Sequence, residues 1–161
     1  MQFDESITIE GNELVLNGLA LRTERVLFIN HRVFVAALYL ENKSQDSQAI
    51  LESDTPRHLI MHFLHSRIRR RELTDGWKDS FAKLDYEGEK LDQFIDFHSE
   101  NMRRGERAIY TYLPRKGTIV TIKDEVRGII PGKEFADALL STFIGENVEL
   151  PRIRDALLGK K

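Results

Sequence analysis

Apolar and polar positions alternate along the first part of the chain. Ile7 and Ile9, then Leu14 and Leu16, flank Gly11-Asn12, a pattern that predicts a short hairpin. Between Leu19 and Leu40, β-branched and aromatic residues are dense. The polar break at Asn30-His31 predicts two strands joined there. Ser44 or Asp46 is placed to cap a short helix through Ala49-Ile50-Leu51. From Arg57 to His65, Leu59, Met61 and Phe63 recur at every second position, which predicts a strand with one buried face.

The period then changes. Leu73, Trp77, Phe81 and Leu84 recur at helical spacing, as do Leu91, Phe94, Ile95, His98 and Met102, with a turn around Gly88 between the two helices. Strand periodicity returns in Ala108–Leu113, Thr118–Ile122 and Val126–Ile130, separated by Pro114-Arg115-Lys116-Gly117 and Asp124-Glu125; this is a three-strand meander. Phe135, Ala136, Leu139, Leu140 and Phe143 form a helical stripe stopped by Gly145, and Pro151 and Gly159 frame a last short helix. Strands, helices, strands and helices follow one another without βαβ alternation. The expected class is α+β: a mostly antiparallel sheet with a layer of helices on one face. No repeat or Pro/Ser-rich linker divides residues 1–161, so one domain is expected.

Composition narrows the chemistry. A domain of 161 residues buries about 68–70% of its unfolded surface and needs no metal or disulfide to fold. Lys and Arg number 24 against 26 Asp and Glu, a net charge of −2, which argues against global attraction to nucleic acid or anionic membrane. There is no Cys, which excludes thiolate catalysis and Cys-ligated metal centres. The longest apolar run, Val33 to Leu40, falls far short of the ~20 residues of a membrane span. Met1-Gln2-Phe3-Asp4-Glu5 has neither a basic nor an apolar stretch, so no signal peptide is expected in this sequence.

Several constellations have two readings. His58, His62 and His65 have helical zinc spacing, but on a strand only His58 and His62 share a face; no metal and no other cofactor is expected. Arg67, Arg69, Arg70 and Arg71 could meet phosphate, yet acidic residues surround them and no aromatics interleave, so a solvated face is expected and no nucleic-acid partner. Tyr110 and Tyr112 share one sheet face, where they fill a core or point their hydroxyls into a ligand cavity. Arg22 lies in an otherwise apolar strand, Leu19-Ala20-Leu21-Arg22. It either faces water or serves a buried anion, because an unpaired buried guanidinium is costly.

At this strand the chain resembles the chalcone isomerase-like family, nearest to its bacterial members. Leu16-Asn17-Gly18-Leu19-Ala20-Leu21-Arg22 is followed without gaps by a strand ending Ala36-Ala37-Leu38-Tyr39-Leu40-Glu41. Asp54-Thr55-Pro56-Arg57, Met61-His62-Phe63-Leu64, the Leu73/Trp77/Phe81 helix and Gly105-Glu106-Arg107 come next in order. Gly117-Thr118, Gly128-Ile129-Ile130-Pro131-Gly132-Lys133-Glu134-Phe135-Ala136 and Leu139-Leu140-Ser141-Thr142-Phe143-Ile144-Gly145 complete the series. The resemblance implies an open-faced β-sandwich, a curved antiparallel sheet with helices over it and a ligand cleft between. It also implies one of three roles: flavonoid isomerase, fatty-acid binder or non-catalytic relative. In the isomerase, an arginine at the position of Arg22 binds the phenolate, a threonine on the next strand polarises the ketone through water, and a helical tyrosine and asparagine assist. Here the threonine position is Phe34, and Arg71–Ser80 holds neither tyrosine nor asparagine. Anchoring survives in the resemblance; ketone activation does not, and each lost group costs roughly one to several orders of magnitude in rate.

The expected function is therefore non-catalytic binding of a fatty acid or similar apolar carboxylate. Arg22 is the anchor, and Phe34, Trp77, Phe81, Tyr110 and Tyr112 line the cleft. The alternatives are an isomerase- or lyase-type enzyme on another small substrate and an interaction module whose cleft its own side chains fill. A cavity reaching Arg22 separates the last from the others. Bacterial relatives often begin with an export signal, so the resemblance allows an exported mature form as well as a cytoplasmic protein, and the sequence assigns neither compartment.

Overall fold

The computed structural model describes residues 2–146, 148 and 150–160. Ser6–Ile9 (β1) and Asn12–Val26 (β2) form the first hairpin, and Ile29–Leu40 (β3) returns antiparallel to β2. The β2–β3 turn is at Leu27-Phe28, three residues before the polar break that predicted it. Both turn residues have positive φ, 51° and 68°, as a two-residue turn needs to match the strand twist. Asn and Gly normally fill such positions, and an apolar pair there gives no turn signal.

Asp46 caps Ser47–Glu52 (α1), accepting from the Ala49 amide at 3.1 Å. Arg57–Phe63 (β4) follows, two residues shorter than the periodicity suggested. Arg67–Ile68 (β5) leads into Arg70–Ala82 (α2) and Glu89–Phe97 (α3). The second helix ends five residues before Met102, because His98 leaves helical geometry and Met102–Arg103 (β6) pairs with β5 in a two-stranded ribbon. The meander is Arg107–Leu113 (β7), Gly117–Ile122 (β8) and Glu125–Ile130 (β9), and Lys133–Ile144 (α4) and Pro151–Leu157 (α5) close the chain.

The main sheet has the order β1-β2-β3-β4-β7-β8-β9, every neighbouring pair antiparallel. Helices and curled antiparallel sheet make an α+β fold, as the period changes predicted. Cross-strand register fixes the two faces. Ala36, Met61, Ala108 and Ile122 align on the inner face, and so do Leu38, Leu59, Tyr110 and Val120. This face meets Trp77 and Phe81 of α2, Phe94 of α3 and Phe135, Leu139 and Leu140 of α4 in the main core. Burying each such large side chain contributes about 1.5–3 kcal/mol. The outer face keeps a smaller cluster of Leu14, Ala37, Tyr39 and Ile60, packed by Phe3, Ile7 and Ile9 from the N-terminal end. Among the described residues, no helix is long and apolar enough to cross a membrane.

Candidate functional site

The inner face changes character toward the turn end of β2 and β3. Arg22 pairs across to Phe34, and Phe34 pairs on to Phe63 of β4, so the three side chains stand in one row. The Phe34 and Phe63 rings meet edge-on, with centroids 6.1 Å apart. On α2, Leu73, Trp77 and Ser80 recur at intervals of four and three and face this row. Phe143 at the end of α4 and Ile153 of α5 close the remaining side. Together they enclose a cleft of about 730 Å³, within the roughly 300–1,000 Å³ of small-molecule sites. Gly76 lines it too, and an added Cβ there would meet nothing within 4 Å.

Its floor is apolar and its rim is charged. Arg22, Glu24, His31, His65, Arg67, Glu72 and Asp79 stand around the opening. Arg22 is half-buried, and among the described residues its side chain makes no hydrogen bond or ion pair. The cleft is open and reaches this guanidinium, so the protein's own side chains do not fill it.

Six residues were expected at the site, and the structure brings three of them together: Arg22, Phe34 and Trp77. Phe81, Tyr110 and Tyr112 lie elsewhere, which corrects the expectation. Phe81 is fully buried, stacked on Phe135 and against Trp77 and Phe94 in the core behind the cleft. Tyr110 is buried with its hydroxyl donating to His98 Nε2 at 2.7 Å, while His98 Nδ1–H donates to the Phe94 carbonyl at 2.7 Å. That carbonyl can only accept, which fixes the tautomer. Burial holds the imidazole neutral, its pKa lowered to about 4, and raises that of the Tyr110 phenol. The Tyr112 hydroxyl donates to Asp54 at 2.5 Å, and burial with this contact pushes its pKa up to about 12. Both tyrosines share the inner face, as their period required, but they stand farther along it than the Arg22 row.

A second inner-face arginine escaped the sequence reading. Arg57, at the opposite end of β4, is 4% exposed. Its guanidinium donates to the carbonyls of Ile50, Leu51 and Ser53, pairs with Asp137 at 2.8 Å and lies 5.3 Å from the Tyr112 ring centroid. This arginine locks α1 and α4 to the sheet. Its only sequence signal was its position opening a buried strand.

The three histidines do not converge. His58 is buried on the outer face, bonded through Nδ1 to Thr111 Oγ1 at 2.8 Å, and burial lowers its pKa to about 4. His62 accepts from Arg107 Nε at 2.9 Å, and His65 stands at the cleft rim. Among the described residues, no group of three or more metal-ligating side chains comes together.

A curled sheet with helices over one face and an arginine-bearing apolar cleft between them defines an open-faced sandwich with a ligand-sized site. The chain belongs to the chalcone isomerase-like family, whose model matches residues 1–159. Among solved structures, the Arabidopsis thaliana fatty-acid binding protein shares the fold. It superposes with a TM-score of 0.79 at 18% identity, over 98% of this chain and 91% of that one. No curated protein sequence matches.

Proposed function

We propose that the protein binds a fatty acid or similar apolar carboxylate, its acid group on Arg22 and its tail along Phe34, Phe63, Trp77 and Phe143. The observation that carries this reading is the contrast between the two inner-face arginines. Arg57 donates to three carbonyls through Nη2 and is ion-paired with Asp137, whereas the Arg22 side chain has no hydrogen-bond or ion-pair partner among the described residues. A half-buried guanidinium beside an apolar slot favours an anion that brings its own apolar surface, and a carboxylate matches its planar fork with two parallel hydrogen bonds. The cleft's size and lining fit such a ligand. The structural relative is described as a fatty-acid binding protein, which supports the same ligand class.

Native mass spectrometry of the purified protein, followed by titration of delipidated protein with long-chain and aromatic acids, tests this. One acid per chain is expected. Protein that stays empty against the whole panel overturns the reading.

A further inference from the structure

The β2–β3 turn presents Val26, Leu27, Phe28 and Ile29 to solvent at 47%, 85%, 88% and 61% exposure. Four consecutive exposed apolar residues, two of them in the left-handed backbone region, are disfavoured both by hydration and by the backbone. The turn is set among arginines. Arg25 lies 5.7 Å from the Phe28 ring centroid, and Arg32 follows on the returning strand. Arg32 and Arg104 line one shallow hollow with His31 and His65, and those two histidines also line the cleft beside Arg22 and Arg67. Arg103 is the cross-strand partner of Arg67. Among the described residues, none of these six arginines is in an ion pair. Glu24 is the sole carboxylate between Arg22 and Arg32. Glu72 and Asp79 line the same cleft, and Glu106 accepts from the Arg103 amide. These six arginines against four carboxylates leave a local cationic excess beside an apolar point, within a chain of net charge −2.

We propose that this hairpin docks the protein on anionic lipid bilayers, Leu27 and Phe28 entering the headgroup–acyl boundary and the arginines meeting lipid phosphates. A bilayer fits better than a protein partner for reasons of size and shape. Four side chains on a narrow ribbon tip are far less than the roughly 800 Å² per partner of a stable protein interface. Shallow insertion of a few apolar residues ringed by cations is how peripheral proteins hold anionic membranes. Val26 and Arg22 line the cleft, so docking turns its mouth toward the lipid.

The test is co-sedimentation of delipidated protein with phosphatidylcholine vesicles, with and without phosphatidylglycerol, at low and high salt. Delipidated protein keeps this readout independent of any acid in the cleft. Binding is expected only to the anionic vesicles, weakened about tenfold or more by high salt. The double variant Leu27→Asn/Phe28→Gly suits the turn, so it should melt no lower than wild type yet bind at least roughly tenfold more weakly. Wild type that ignores anionic vesicles at low salt overturns the proposal, as does full binding by the double variant. Self-association that the double variant abolishes, with no vesicle binding, assigns the tip to a second copy of the chain instead.

Discussion

Arg22 and Phe34 are direct partners across β2 and β3, and both line the same cleft. The guanidinium stands at the polar rim while the ring continues the row into Phe63. A charge and an apolar surface side by side suit an amphipathic acid. They do not suit ketone activation, since a phenyl ring neither donates a hydrogen bond nor holds a polarising water. Incubation with a chalcone is accordingly expected to show no saturable acceleration over spontaneous ring closure. A protein-dependent, saturable rate would contradict this.

Gly76 bears on the size of the cleft. A glycine inside α2 costs about 1 kcal/mol relative to a good helix former, and its missing side chain leaves open space at the cleft wall. Gly76→Leu should raise the melting temperature by a few degrees and weaken binding of long-chain acids more than short ones. Calorimetry and a chain-length series check both halves.

Arg57 should behave as a structural residue. Truncating it removes a buried cation from Asp137, which keeps Lys133 at 2.7 Å. It also takes a donor from the Ile50, Leu51 and Ser53 carbonyls, of which the first two keep Ser53 Oγ and Lys133. The cost falls at the low end of the about 3–5 kcal/mol of a broken buried pair. Arg57→Ala is expected to lower the melting temperature by roughly 10 °C. An unchanged melting curve would contradict the role assigned to this arginine.

Acid should weaken the fold through its buried histidines. Burial lowers the pKa values of His58 and His98 from 6.5 to about 4. Across that window the unfolded chain binds protons that the folded one refuses, so stability is full above about pH 6.5 and falls as pH drops toward 4. Each histidine contributes on the order of 3 kcal/mol to the loss. Melting temperatures from pH 7.5 down to 4.5 should decline, with a shallower slope in His98→Gln. A flat profile would contradict the buried neutral state.

Period-two and helical spacing made the fold legible, because one face of nearly every element packs in the core. What they could not locate was position along a face. Tyr110 and Tyr112 lie on the inner face as expected, yet register carries them toward Arg57 rather than Arg22. Phe81 shares a helix stripe with Trp77 but sits one turn deeper, against Phe135. The Leu27-Phe28 turn was invisible because its residues follow strand chemistry, and Asn30-His31 mimicked the missing signal. Arg22 stood out for a simple reason: a cation set directly after the apolar run Leu19-Ala20-Leu21 needs a partner or water.

Titration of delipidated wild type, Arg22→Ala and Arg22→Lys with a long-chain fatty acid, alongside their melting curves, tests the binding role most directly. Loss of a charge-assisted contact is worth about 1.5–3 kcal/mol, so Arg22→Ala should bind roughly 10- to 100-fold more weakly. Arg22→Lys should fall between, keeping the charge without the fork. Both apo proteins should melt within a few degrees of wild type, since no protein carboxylate is stranded. Unchanged acid affinity together with a large drop in melting temperature would contradict the role of Arg22 as a ligand anchor.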